Sequence, residues 1–271
     1  MTCWASTLGG CSAGSSHEHL VSQGLWLSDN ISVVGFPWCK TEPKTVGLAS
    51  ATSKILCAAH NSGLSDVDAA GVDAFRALRE ATTLANERSA HPHRHWRPKR
   101  LEADGPLLER WFLKTTVNLS VARKTPVRWP GTSAASTQPA DRIVRMVFGR
   151  EPVTWPMGLY SAALLGETIK FSEEVAFAPL FDRHDTLVGA LFTFRGLRFL
   201  LYLGLDPPPH DIQLPGTKMP GWEQSGLLYR TRRLQWKAGG KLSHYLHFMW
   251  PPGASPSNKR LRWADARRSD A

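Results

Sequence analysis

Two short stretches hold the residue types that can do chemistry. The first is Cys3-Trp-Ala-Ser-Thr-Leu-Gly-Gly-Cys11, followed by His17-Glu18-His19. The second is Leu56-Cys57-Ala-Ala-His60-Asn61, running into Leu64-Ser65-Asp66-Val67-Asp68. Together they contain three of the four cysteines and three of the ten histidines. A cysteine pair followed by a Cys-x-x-His pair offers the thiolate and imidazole donors that suit a tetrahedral zinc. A harder set, Glu18, His19 and Asn61, lies among them and can hold a Mg²⁺-like ion and activate water.

The pattern resembles the HNH endonucleases, the ββα-metal nucleases, over roughly the first third of the chain. In that family an acidic residue followed by His precedes a strand pair, and a Leu-Cys-x-x-Cys turn with His or Asn just after it opens a helix. Glu18-His19 stands at the first position and Leu56-Cys57-Ala-Ala-His60-Asn61 at the second. Two departures are visible. The first cysteine pair is spread from Cys3 to Cys11, and His60 replaces the last cysteine. The resemblance implies His19 as general base, with Glu18 and Asn61 as oxygen ligands of a catalytic Mg²⁺ or other divalent cation. It implies a closed, structural zinc at Cys3, Cys11, Cys57 and His60. Cys39 is the reserve zinc ligand and His17 the reserve for Glu18. A neutral imidazole is a suitable base near pH 7.

Composition points the same way. The chain has 271 residues and a formal charge of +10. Such a basic surface implies a polyanionic partner, with nucleic acid, DNA favoured, ahead of an anionic membrane. Cysteines gathered in a metal-like cluster imply a reducing compartment, hence a cytoplasmic protein. No signal peptide is visible at the start of the sequence. The longest apolar run, 187–203, is broken by Arg195, Gly196 and Arg198 and is too short to span a bilayer.

These residues must be held by an α+β fold in four parts. Residues 1–88 form a zinc-bearing ββα-metal (HNH-like) domain, 89–104 a basic linker, 105–250 a β-rich α+β domain of no recognised family, and 251–271 a basic disordered tail. In the first part, strands are predicted at 31–36 and 54–56. A helix then begins at a Ser65 cap and buries Val67, Gly71, Phe75, Leu78 and Ala85. The linker carries Arg94, Arg97, Lys99 and Arg100 as candidate phosphate contacts, with Trp96 available to stack on a base. In the β-rich part a helix is predicted at 107–114, a loop at 125–141, and strands at 143–148, 168–171, 175–180, 186–194, 197–203, 227–230, 234–237 and 242–250. Trp129, Trp155, Trp222, Trp236 and Trp250 read as core. Two functions are consistent with this pattern. One is a metal-dependent endonuclease hydrolysing phosphodiester bonds. The other is a zinc-stabilised nucleic-acid-binding or interaction protein that does not cut.

Overall fold

The computed structural model describes residues 3–36, 39–97, 99–164, 172–206, 225–237, 243–252 and 260–261. The protein is α+β. The chain opens with β1 (Ser15–His19), β2 (Asn30–Val33), β3 (Lys44–Gly47) and β4 (Thr52–Cys57). Helices α1 (Ala58–Ser62) and α2 (Ser65–Ala90) follow. Next come β5 (Leu101–Asp104), the central helix α3 (Gly105–Ala122), the short strands β6 (Val127–Arg128) and β7 (Ala135–Ser136), and α4 (Asp141–Val147). The remainder is β8 (Gly158–Leu164), β9 (Val175–Phe181), β10 (Leu187–Phe194), β11 (Leu197–Tyr202), β12 (Ser225–Tyr229), β13 (Arg233–Lys237), β14 (Ser243–Met249) and β15 (Arg260–Leu261).

The main sheet has the order β15-β12-β8-β11-β10-β9 with antiparallel pairing throughout. Strands β10 and β11 are largely apolar because both faces are covered. Side chains alternate between faces along a strand. Phe192, Phe194, Phe199 and Leu201 enter the main core, while Leu191, Leu200 and Tyr202 join Tyr160 and Leu180 on the other face. The predicted hairpin forms at Arg195-Gly196, where both residues have positive φ (50° and 81°). That is the pattern of a two-residue turn whose twist matches the strands it joins.

Helix α3 lies between the sheet and the N-terminal strands. Asp104 caps it by accepting from the Leu107 amide at 2.8 Å, and Pro106 follows in the first turn. Phe112 packs on Phe192, Phe194 and Phe199 with ring centroids 4.7, 5.4 and 5.3 Å away. Beside it, α2 buries Val67, Gly71, Phe75 and Leu78, with Phe75 5.1 Å from Phe194. One continuous core runs from Trp4 to Phe248.

Several expectations change. The proposed boundaries at 88 and 105 do not mark a break in packing. Arg88 is buried and donates to the Arg97 carbonyl at 2.8 Å. The last four residues of the supposed linker form β5, which pairs in parallel with β14 and buries Leu101 and Ala103. Residues 143–147 are helical and Phe148 follows as the C-cap, because Ile143, Val144, Met146 and Val147 fall on one helical face and Asp141 pairs with Arg145 one turn on. Ser65 is not a cap: Leu64 precedes α2 without a side-chain cap, since α1 runs almost directly into it. The strand read at 31–36 is only β2, and its partner is β3, whereas β1 pairs with β4. Trp129 is buried, but Trp155 is 53% exposed. The predicted strand at 168–171, Trp222 and most of the tail fall outside the described residues. Among the described residues no helix is long and apolar enough to cross a membrane.

At Gly71, an added Cβ would lie 2.4 Å from the Trp111 ring. Backbone and indole are buried, so neither can yield cheaply. Gly71→Ala should therefore destabilise the protein by about 1–3 kcal/mol, read as a lower denaturant midpoint at unchanged slope.

Candidate metal centre

Strand β4 ends at Cys57, and the chain turns at once into α1. The Cys57 sulfur caps this short helix, accepting from the His60 amide at 3.5 Å. The turn places the Cys57 thiol and His60 imidazole side by side. Cys3 reaches them because the Trp4 amide donates to the Ile55 carbonyl at 3.0 Å, laying the N-terminal segment along β4. Cys11 returns after a short helical turn at Ser6–Leu8 and the positive-φ residues Gly9 and Gly10.

The four donor atoms of Cys3, Cys11, Cys57 and His60 all lie within 4.8 Å of one another. The His60 Nδ1 is 3.3, 3.6 and 3.3 Å from the sulfurs of Cys3, Cys11 and Cys57. Ordinary Zn–S and Zn–N bonds in a tetrahedron put such atoms roughly 3.5 Å apart. Donor chemistry and spacing therefore fit a closed four-ligand site for a metal such as zinc. The His60 ring is fixed edge-on against Phe148 with centroids 5.5 Å apart. The Cys3 thiol is pushed up to about 11, chiefly by burial. Burial also raises Cys57, but the His60 and Ser12 groups that donate to its sulfur outweigh it and bring it down to about 6. Of these neighbouring thiols, Cys57 is the one readied as a thiolate.

The harder ligands are arranged differently. Glu18 is 3% exposed. Its Oε1 accepts from Lys114 Nζ at 2.6 Å and from Asn118 Nδ2 at 3.0 Å. Burial pushes its carboxyl above the usual range against the pull of Lys114. Lys114 also donates to both oxygens of Asp68, at 2.7 and 2.6 Å. His19 is half-buried, and its Nδ1 is enclosed without a hydrogen-bond partner. Burial and the Lys114 charge lower its pKa, with Asp68 and Gln23 opposing, which favours the neutral imidazole. Asn61 lies half-buried on α1, outside this charged group. A Mg²⁺ ion keeps several waters in a near-octahedral shell. The surroundings of Glu18 do not fit one, because its near oxygen is taken by two enclosed donors.

The reserve ligands stay out of both groups. Cys39 is buried in the bend that bridges to Phe36. His17 is exposed, 3.4 Å from the Thr52 hydroxyl. Of the candidate phosphate contacts, Arg94 and Arg97 are exposed, while Lys99 pairs with Glu80 and Arg100 with Glu102 at 2.5 Å. Trp96 is not free to stack as expected, because Arg88 and Arg94 lie over its ring. Sequence reasoning missed Lys114, Asp68 and Asn118 as partners of the Glu18-His19 pair. The sequence offers no distinguishing signal for Lys114, since the same stretch also carries Glu109 and Arg110.

No family model matches the chain, and no curated protein and no solved structure matches it. The HNH resemblance therefore stands on the quoted residues alone.

Purified protein should carry one zinc per chain by elemental analysis. Cys57→Ser should lose it and unfold at lower temperature, because a structural metal contributes directly to folding. Zinc retention should fall as pH is lowered, since protons compete for the thiolates. Full zinc occupancy in Cys57→Ser would remove that residue from the site.

Proposed function

We propose that the chain is a zinc-stabilised nucleic-acid-binding protein, built on an HNH-like strand-strand-helix unit, that binds without cutting. The observation that carries this reading is the engagement of Glu18. The carboxylate that a nuclease of this type would need for its divalent ion is occupied by Lys114 and Asn118 inside the protein. The four-donor group supports a zinc that ties the N-terminal segment to β4 and α1. The +10 charge supports a polyanionic partner, with DNA favoured. Arg94 and Arg97 are the exposed cations of the basic segment best placed to meet phosphates, since Lys99 and Arg100 already face carboxylates.

A second reading is the endonuclease itself, and the state of His19 favours it. Its lowered pKa favours the neutral imidazole that a general base requires. In that reading His19 takes the proton from the water that attacks the phosphodiester.

Binding to duplex DNA should weaken linearly in log affinity against log salt. Arg94→Ala with Arg97→Ala should flatten that slope by about 2, one for each lost phosphate contact. Salt-independent affinity would show that the charge serves another purpose. Plasmid and RNA should survive incubation with zinc-loaded protein and added Mg²⁺ or Mn²⁺. Cleavage that His19→Ala reduces on the order of 10²-fold or more, with DNA affinity kept, would establish the second reading instead.

A further inference from the structure

Lys114 sits in the middle of α3, and its side chain is 3% exposed. An ammonium has three donors and no acceptor. Here three carboxylate oxygens lie within reach: Glu18 Oε1 at 2.6 Å, Asp68 Oδ1 at 2.7 Å and Asp68 Oδ2 at 2.6 Å. The surroundings are polar, with Lys114 and Glu18 buried and the Asp68 side chain 30% exposed. Asn118 donates to Glu18, the Ser22 hydroxyl donates to Asp68 at 2.5 Å, and Trp111 Nε1 donates to Ser22 Oγ at 2.8 Å. Two carboxylates from β1 and α2 thus meet at one point, as they would around a metal ion, and a lysine stands at that point.

We propose that Lys114 is a built-in cation that fills the place of a divalent ion between Glu18 and Asp68, so that these two carboxylates form a latent metal site opened only when the ammonium is removed. The ammonium supplies one positive charge and directed hydrogen bonds. It cannot accept a water or a phosphate oxygen as a ligand, so the position is electrostatically satisfied and chemically inert. The proposal goes beyond the binding reading and holds whether or not the chain binds DNA.

The test is a Mn²⁺ titration of the zinc-loaded, full-length protein, following the loss of the free-ion electron paramagnetic resonance signal. Wild type should bind no Mn²⁺ through Glu18. Lys114→Ala should gain one site and show a Mn²⁺-dependent rise in unfolding temperature. Adding Glu18→Gln to Lys114→Ala should abolish both effects. Should Lys114→Ala fail to fold, Lys114→Met keeps most of the volume and carries the same expectations. Two results would overturn the proposal: wild-type protein binding one Mn²⁺ that Glu18→Gln removes, or a folded Lys114 variant that gains no site. Because no nucleic acid is present, either result is independent of whether the protein binds DNA.

Discussion

A charged nitrogen enclosed in a protein must find its counter-charge there, and this fold is arranged around that requirement at Lys114. Its partners come from distant parts of the chain, Glu18 on β1 and Asp68 on α2. Removing one partner of such a buried pair typically costs ~3–5 kcal/mol, although an apolar replacement of the whole group need not cost anything. The arrangement therefore serves specificity more than stability. The observed placement of β1 and α2 against α3 brings both carboxylates to the ammonium. Neighbouring polar groups repeat the instruction. Asn118 accepts from Trp4 Nε1 at 3.1 Å while donating to Glu18, and Trp111 reaches Ser22.

The first half of α3 is held in the same manner. Glu109 is buried and accepts from Arg230 at 2.7 and 3.1 Å and from the Leu159 amide at 2.8 Å. Arg230 in turn lies over the rings of Tyr229 and Trp250. One helix thus carries an anchor to the N-terminal strands and an anchor to the sheet, with aromatic packing between. The four-ligand metal group acts at a further remove. A metal bound there would tie the first residues to the β4–α1 turn, next to the β1–β4 pair that carries Glu18.

The parts of this arrangement visible in the sequence were those with a local signature. The Cys-x-x-His turn and the earlier cysteines were read as one donor set, and the structure brings those four residues together. The apolar face of α2 and the Arg195-Gly196 hairpin were also legible, since period and turn chemistry are local. The pairing of Glu18 with Lys114 was not, because the residues are 96 positions apart and neither type of charge names its partner. A buried lysine reads in sequence like any surface lysine of an amphipathic helix. The helix at α4 was missed because a short apolar run fits a strand as well as a helix until its neighbours are known. The supposed linker misled through composition. Its basic, proline-marked character continues almost to β5, whose pairing partner β14 lies far along the chain.

The protein gathers four soft donors that could hold a metal at Cys3, Cys11, Cys57 and His60, while Lys114 stands between the carboxylates of Glu18 and Asp68. The most direct measurement is anomalous diffraction from crystals of zinc-loaded protein soaked in Mn²⁺, with data at the zinc edge and at an energy sensitive to manganese. The predicted result is one zinc peak among those four ligands, no manganese peak between Glu18 and Asp68, and density for the Lys114 ammonium at that point. A manganese peak there with Lys114 turned away, or no zinc peak at the four ligands, would contradict it.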